Sequence, residues 1–301
     1  MSRYQETHLS FVEEVTPGTT PGSPSMLKFR TTDPLALTTE KAALESEEVI
    51  SHRQKENVRH GLKSVGGSLP FELSYGSFDP WLEALLSSTF SSGVLKVGST
   101  LKTFTVEQKL ASNRFIVGRG VTPNQLTLNM TPSGIITGSF DVIGMDFDSA
   151  TTTLGAPTDV TTNAPFIGLG EAALEEGGSS IATVTSVDLT LNANKTGGAV
   201  MGQAGSEAAT EGMFVVTGNL TARFNSMALF DKFKNETESS LKVTFTNPGD
   251  DQTLEFFIPR VKYLSGQPQN NDNVVDVALS FEGLYHTGQA SSIVITFNDP
   301  A

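Results

Sequence analysis

SLPFELSY at residues 68–75 is followed, after two residues, by FDPWLEALLSSTF at residues 78–90, and these two segments set the order of elements for the rest of the chain. In the first segment apolar and polar residues alternate, which is typical of a β-strand with one buried face. In the second segment Asp79 is a suitable N-cap, Pro80 occupies the first helical position, and apolar residues recur at helical spacing. These residues predict a strand that leads into a short amphipathic helix.

Three further strand-like segments follow this helix, and they are LKTFTVE (101–107), FIVGRGV (115–121) and IITGSFDVIG (135–144). The helix itself has an apolar stripe. Two members of that stripe, Trp81 and Leu85, are expected to anchor the helix in a hydrophobic core. This part of the chain therefore predicts a strand, a helix and three more strands.

The same order of elements recurs later in the chain. The corresponding segments are VVTGNLTARF (215–224), the helical ALFDKFKN (228–235), LKVTFTN (241–247), LEFFIPRVKYL (254–264) and VVDVALSFEGL (274–284). Phe230 and Phe233 lie on the apolar stripe of the second helix and are its expected core anchors. Element order and lengths match although few residues are identical, so we predict a mainly β protein built from two tandem units.

Shifts in composition divide the chain into four parts. We predict an N-terminal arm (1–26), a first unit (27–150) with a long charged loop (38–64), a linker (151–180) and a second unit (181–301). The arm and the linker are rich in Pro, Gly, Ser and Thr, which favours extended segments without a core strand.

The loop at residues 38–64 is dense in charges of both signs and has few bulky apolar residues. Two interpretations remain open at this point. It is either a solvated loop or frayed helix, or a long loop that becomes ordered only against another subunit.

Composition excludes several classes of function. The chain has 301 residues, no cysteine and a formal net charge of -13. Disulfides, thiolate metal sites and cysteine nucleophiles are therefore excluded, and so acidic a chain is unsuited to gripping nucleic acid. Because no apolar run approaches the length of about eighteen residues that crosses a bilayer, we expect no membrane span. The polar, acidic first residues do not resemble a signal peptide. The lack of cysteine is compatible with folding in a bacterial cytoplasm.

Candidate chemistry is sparse. The sequence contains neither a GxxxxGK[ST] nor a GxSxG pattern, and its four histidines lack partners at metal-binding spacing. Asp146 and Asp148 could share a face and bind a cation, but a solvent-facing strand end explains them better. We therefore predict no catalytic residue, no cofactor and no metal site.

Several stretches carry a resemblance to a known family. They are EEVTPGTTPGSPSMLKFRTT (13–32), VGGSLPFELSYGSFDPWLEALLSS (65–88), FIVGRGVTPNQLTLNMTPSGIITGSFDVIG (115–144), and FFIPRVKYLSG (256–266) with VVDVALSFEGL (274–284). In order and style of residues, these resemble the tail tube (major tail) proteins of long, non-contractile-tailed bacteriophages. The resemblance covers most of the chain but rests on no invariant motif.

The resemblance implies a β-sandwich or barrel-like unit with a helix on its flank. Such units form rings of six that stack into a hollow tube, and double-stranded DNA passes through the lumen without specific binding. It also implies a location in the virion tail, assembly in the host cytoplasm, and other tail proteins (tape measure, terminator, tip) as partners. Because this chain carries two units, trimeric rings with pseudo-six-fold symmetry are favoured over hexameric rings.

The resemblance also assigns roles to residues. The long loop and the arm of the family reach the neighbouring ring, which implies inter-ring contacts for Glu45, Glu47, Glu48, His52, Arg53, Lys55 and Arg59. An acidic lumen would repel the DNA that it conducts. The expected lumen-facing residues are Glu107, Asp141, Asp276 and Glu282.

A carbohydrate-binding or adhesin-type β-sandwich is the alternative function. Against it, the sequence shows no cluster of exposed aromatic residues, and Trp81 lies on a helical stripe that is expected to pack inward. Electron microscopy of the purified protein discriminates the two, because only a tube protein forms rings or tubes.

Overall fold

The structure is a computed structural model that describes residues 4–48, 51–52, 54–161, 163–181, 183–247, 251–271 and 273–298. Its helices are a 3-10 turn (Tyr4–Glu6), α1 (Asp79–Leu86), the irregular α2 (Gly168–Glu171) and α3 (Ala228–Lys234). Its strands up to the middle of the chain are β1 (His8–Glu13), β2 (Leu27–Phe29), β3 (Thr38–Glu45), β4 (Val58–Glu72), β5 (Val94–Lys96), β6 (Phe104–Ala111), β7 (Arg114–Met130), β8 (Thr137–Gly144), β9 (Asp146–Ala150) and β10 (Thr158–Asp159). The remaining strands are β11 (Ala172–Glu176), β12 (Ser179–Ser180), β13 (Val184–Asn192), β14 (Val215–Arg223), β15 (Ser239–Thr246), β16 (Thr253–Tyr263), β17 (Gln267–Asn271), β18 (Val274–Gly283) and β19 (Val294–Asn298).

The central feature is one long antiparallel sheet, and the predicted mainly β fold is confirmed. Among the described residues this sheet has the strand order β3-β4-β8-β7-β13-β14-β18-β17. We call it the long sheet. The strands from both predicted units lie side by side in it, so the two units share one continuous sheet.

Two shorter sheets accompany the long sheet. The first has the order β10-β2-β1-β6-β7-β9, and the second has the order β12-β11-β15-β16-β19-β5. Two strands belong to two sheets each, because β7 and β16 continue from a short sheet into the long one. β7 bends where it passes from one sheet into the other. A register shift between Pro123 and Gln125 marks this bend, which is the usual effect of a β-bulge.

The pairing pattern occurs twice. In the first half of the chain β4 pairs with β8, β8 with β7, and β7 with β6 and β9. In the second half β14 pairs with β18, β18 with β16, and β16 with β15 and β19. We call these sets of strands, together with β1 and β3 or with β11 and β13, the first and second repeats.

The register of the two repeats agrees residue by residue. Val65 is partnered by Gly144 in the first repeat, and Val216 is partnered by Gly283 in the second. An added Cβ on Gly144 would meet Val65 at 2.9 Å, and one on Gly283 would meet Val216 at 3.0 Å. The same close approach of strand to strand therefore exists in both repeats, and it requires glycine in each.

The core of the first repeat is aromatic and surrounds Trp81, which is fully buried. Its ring lies 4.8 Å from that of Phe29, 4.9 Å from Phe104, 5.4 Å from Phe11 and 5.7 Å from Phe140. Leu85 is also fully buried. Burial on this scale anchors α1 between the sheets, because each large aromatic side chain removes much apolar area from water.

The second helix differs from this pattern, and the expected core anchors Phe230 and Phe233 are wrong as deeply buried residues. No described residue of α3 is buried, and both phenylalanines are only partly covered. Phe233 packs against the edge of the core, next to Gly266. The helical spacing of apolar residues was present in the sequence, but a short stripe does not specify how much of it a sheet covers.

The predicted N-terminal arm is also wrong over part of its length. Residues 8–13 form β1, which lies between β2 and β6, and Leu9 and Phe11 are buried. The irregular segment that follows is fastened by Glu14, whose carboxylate accepts hydrogen bonds from Gly18 N at 2.8 Å and Thr103 Oγ1 at 2.7 Å. Residues 1–3 lie outside the described part of the chain.

The predicted linker at residues 151–180 is not a simple connection. It contains β10, β11 and β12, and β11 pairs along its length with β15 of the second repeat. Phe166 is fully buried and its ring stacks on Phe245 with centroids 5.3 Å apart. The segment therefore contributes to the core, because a few apolar residues in a Thr- and Gly-rich stretch suffice to attach it.

Candidate functional site

A hairpin projects from one end of the long sheet. It consists of β3 and the first half of β4. These strands are paired, so the interpretation of residues 38–64 as a solvated loop or a frayed helix is wrong for them. Nearly every described side chain from Thr38 to His60 is exposed. An isolated two-stranded hairpin is only marginally stable in water, so this extension is a candidate contact for another molecule.

The predicted inter-ring residues lie on this hairpin. Lys55 forms an ion pair with Glu45, and His52 lies 2.9 Å from Glu56. Glu47, Glu48 and Arg59 are exposed. Arg53 lies outside the described residues. Such exposed pairs contribute little to the stability of a single chain, which leaves their charges available to a partner.

One face of the long sheet is polar. Along β7, β8, β13, β14 and β18 buried apolar residues alternate with polar ones, so the polar side chains share the face that points away from the core. This polar face is formed mainly by Ser68, Gln125, Thr127, Asn129, Asp141, Asp188, Thr190, Asn192, Thr217, Asn219, Arg223, Ser280 and Glu282. Carboxylates outnumber basic groups in this set, which makes the face acidic.

Hydrogen bonds connect this face across three strands. Asn192 Nδ2 donates to Gln125 Oε1 at 3.1 Å, and Gln125 Nε2 donates to Asp141 Oδ2 at 3.3 Å. Asp141 and Glu282, two of the predicted lumen-facing residues, belong to the polar face and are partly exposed. Asp188 is an acidic member that our sequence reasoning missed, although the alternation of β13 could have indicated it.

The prediction that Glu107 faces the lumen is wrong. Glu107 is fully buried in β6, which belongs to the first short sheet. Its carboxylate accepts hydrogen bonds from Thr153 Oγ1 at 2.8 Å and from the main-chain N–H of Leu154 at 2.7 Å. It therefore fastens the segment after β9 to the sheet. Alternation along one strand does not reveal that a distant segment covers its outer face.

Asp276 is likewise not a solvent-facing residue of the chain. It is 1% exposed on β18 and accepts a hydrogen bond from Asn271 Nδ2 at 2.8 Å. The edge strand β17 lies beside it and shields it. The prediction failed because the sequence of β17, QPQNN, carries no strand signal, so the strand that covers Asp276 could not be foreseen.

The two edges of the long sheet are open. Within the described residues, β3 at one end and β17 at the other pair on one side only. Both edges carry features that discourage unwanted pairing, since β17 contains Pro268 and β3 contains charged residues such as Glu40 and Lys41. Open but protected edges are the expected state of a strand that pairs only with a chosen partner.

Two ionisable groups at the ends of α1 have pKa values shifted from their ordinary values. Asp79 lies in its first turn, and burial, with the nearby charge of Glu83, raises the pKa of Asp79 to about 6. Lys195 lies at its other end, and burial lowers the pKa of Lys195 to about 8. Both groups are enclosed by the packing of α1, and neither belongs to a cluster with a catalytic arrangement.

The described residues contain no group of three or more His, Asp or Glu side chains placed to hold a metal ion. None of the helices in this part of the chain is both long and apolar enough to cross a bilayer. Asp146, which was weighed as a cation ligand, lies 3.1 Å from Lys63 Nζ in an ion pair.

Comparison with known proteins assigns the chain to a family. A sequence model of the family described as phage tail tube protein matches residues 5–283. No curated protein matches the chain. The match covers the whole long sheet and all of both repeats except β19. The chain therefore belongs to the phage tail tube protein family, and it is a structural component of a virion tail.

Proposed function

We propose that this chain forms the wall of the tube in a long, non-contractile tail, and that three copies close into one pseudo-six-fold ring. The observation that carries the proposal is the long sheet, in which two repeats with the same pairing order lie edge to edge and leave one free edge at each end. A sheet with two free edges is completed when copies join in a circle. Since one chain supplies two repeats, three chains supply six.

The polar face supports a role for the inside of such a ring. If the sheets of three chains join, their polar faces line one continuous surface. Asp141, Asp188 and Glu282 then give that surface a negative charge, which repels phosphate and lets double-stranded DNA slide through without specific binding. The DNA is a passing cargo in this proposal.

The hairpin supports contacts along the tube axis. It extends beyond the long sheet, and its exposed charges of both signs include Glu45, Lys55 and Arg59. A head-to-tail contact of this kind generates an open-ended stack. We infer that the hairpin reaches the next ring, and that the tape measure, terminator and tip proteins meet the ends of the finished tube.

Electron microscopy and mass measurement test the proposal together. Negatively stained protein is expected to show tubes of uniform width, and isolated rings are expected to have the mass of three chains. Rings with the mass of six chains would replace the trimeric arrangement with the hexameric one. A protein that stays monomeric at high concentration, including in lysates that contain the other tail proteins, would overturn the proposed function.

A further inference from the structure

We propose that neighbouring copies join in the register that β7 and β13 already show inside one chain, with residues 36–40 of one copy beside residues 265–269 of the next. This inference rests on the proposed function, since it names the partner of the open edges as a second copy. The internal joint pairs Thr127 with Thr190 and Asn129 with Asp188. Among the described residues, it is the edge-to-edge joint of the long sheet at which the two repeats meet.

β3 of the first repeat is the counterpart of β13. β13 is partnered by β14, where Leu191 faces Val216. In the first repeat, β3 is partnered by β4, where Thr39 faces Val65. Because Val65 and Val216 occupy the same position in their repeats, Thr39 corresponds to Leu191.

The backbone approach at two glycines supports this correspondence independently. A Cβ added to Gly67 would lie 2.2 Å from the main-chain oxygen of Ala36, and one added to Gly218 would lie 2.3 Å from that of Asp188. Gly67 and Gly218 each lie two residues after the equivalent valines. Ala36 therefore corresponds to Asp188, and residues 36–40 correspond to residues 188–192.

At the opposite edge, β17 is the counterpart of the second half of β7, whose first half corresponds to β16. Thr127 of β7 is partnered by Ser139, and Gln267 of β17 is partnered by Ala278. Ser139 in turn faces Pro70, and Ala278 faces Thr221, which are the fifth residues after the equivalent valines. Gln267 therefore corresponds to Thr127.

Together, the two correspondences give specific residue pairs between neighbouring copies. Gln267 is expected opposite Thr38 of the next copy, and Gln269 opposite Ala36 of the next copy. Gln267 and Thr38 are exposed in the single chain, whereas their counterparts Thr127 and Thr190 are half-buried by the internal joint. The two open edges therefore have the exposure expected of surfaces that await this ladder.

The joint between copies lacks one element of the internal joint. Within the chain, β5 lies in the connection at residues 87–103, and it pairs with β19 of the second repeat. The equivalent connection in the second repeat spans only residues 235–238 and is too short to reach a neighbour in the same way. The joint between copies must therefore depend on the edge ladder alone. Of the two kinds of joint in a ring, the joint between copies is the weaker, and a ring separates there.

Introduced cysteines test the register, because the natural chain has none and every disulfide then comes from the designed pair. The first test protein is Gln267→Cys with Thr38→Cys, and the second is Gln269→Cys with Ala36→Cys. Residues directly opposite in antiparallel strands have Cβ atoms close enough for a disulfide. The shifted control is Gln267→Cys with Glu40→Cys, and the internal control is Thr127→Cys with Thr190→Cys.

After mild oxidation of assembled protein, the two test proteins are expected to give disulfide-linked oligomers on denaturing gels, in a ladder that ends at a fixed number of chains. The internal control is expected to cross-link within one chain, and the shifted control at least tenfold less than the test proteins. Tubes that form normally but cross-link only in the shifted control, or in neither test protein, would overturn the register and leave the proposed function intact. Cross-linking that continues without a limit would also overturn it, because an edge ladder within a ring must close.

Discussion

The ammonium group of Lys195, in the second repeat, donates a hydrogen bond to the main-chain oxygen of Ala84 in α1 of the first repeat, with Nζ and O 2.6 Å apart. It also donates to Thr122 Oγ1 at 3.0 Å. Lys195 is 3% exposed, and it therefore satisfies a carbonyl near the C-terminal end of α1 while its charge is buried. This contact links the two repeats through one side chain.

The stability of the chain is expected to rise between pH 8 and pH 10 because of Lys195. Its pKa is lowered from 10.5 to about 8 in the folded protein, so in this range the unfolded chain binds a proton that the folded chain does not. The difference between pH 7.5 and pH 9.5 is about 1–2 kcal/mol. Urea unfolding at both pH values measures it, and Lys195→Met is expected to remove this rise.

The control for that comparison is Lys234→Met, which changes an exposed lysine at the end of α3. It is expected to keep the pH dependence of the natural chain. If Lys195→Met and Lys234→Met show the same pH dependence, the burial of the Lys195 charge has no energetic consequence.

Asp79→Asn is expected to stabilise the protein at pH 7. Burial raises the pKa of Asp79 from 3.8 to about 6, so the folded chain holds a proton that the unfolded chain releases, and stability falls as pH rises through this range. The gain at pH 7 is at most about 3 kcal/mol, and the loss of a favourable charge at the start of α1 reduces it. Thermal unfolding at pH 7 and pH 4 should show a gain at pH 7 that falls below about 1 kcal/mol at pH 4. The exposed Asp148→Asn serves as the control.

Trp81→Ala and Phe230→Ala compare the two helices directly. Trp81 is fully buried among four aromatic rings, so its replacement is expected to cost about 3–5 kcal/mol. Phe230 is only partly covered, and its replacement is expected to cost less than half as much. Chemical denaturation of both variants gives the comparison. Equal costs would mean that α3 is held as firmly as α1.

Phe11→Ala is expected to lower the stability of the single chain, and any defect in tube growth is expected to follow from that loss of stability. Phe11 is 2% exposed and lies 5.4 Å, centroid to centroid, from both Trp81 and Phe104. The expected cost is about 3–5 kcal/mol, measured by urea unfolding. The neighbouring Val15 is 95% exposed, and Val15→Ser should change stability by less than about 0.5 kcal/mol. If the Phe11 variant is as stable as the natural chain but forms defective tubes, the segment around Phe11 acts as an arm that contacts other copies and not as part of the core.

Shortening the hairpin is expected to separate folding from assembly. Replacing residues 46–57 by Asn-Gly keeps the base of the hairpin and removes most of its exposed tip. Because this tip is solvated in the single chain, the melting temperature should remain within a few degrees, while tubes are absent in electron micrographs. Met201→Ser, at a fully exposed loop position, is the control. Tubes of normal length from the shortened protein would exclude the hairpin from the contact between rings.

Much of this architecture was visible in the order and alternation of residues. Alternation predicted β4, β8, β14 and β18 of the long sheet, and helical spacing predicted α1 and α3. The repeated pattern Val65-x-Gly67-x-Leu69 and Val216-x-Gly218-x-Leu220 lies at equivalent positions, so the duplication was present in the letters as well as in the order of elements. These features are local, and neighbouring residues are enough to express them.

Three other features depended on segments that are far apart in the chain. β1 inserts beside β6 about a hundred residues later, Phe166 stacks on Phe245, and the segment after β9 covers Glu107. Each of these contacts is made by a short segment that adjoins or lies in a stretch rich in Pro, Gly, Ser or Thr. Their strand or core character comes from the partner that receives them.

Periodicity and turn residues act over a few neighbours, so they are enough to specify a duplicated, mainly β protein with a helix in each repeat. That β7 meets β13, that the polar face is continuous across both repeats, and which two edges stay open follow from contacts between distant parts of the chain. Strand pairing is a choice among distant partners with similar alternation, and the closest-packed arrangement of the whole chain makes that choice.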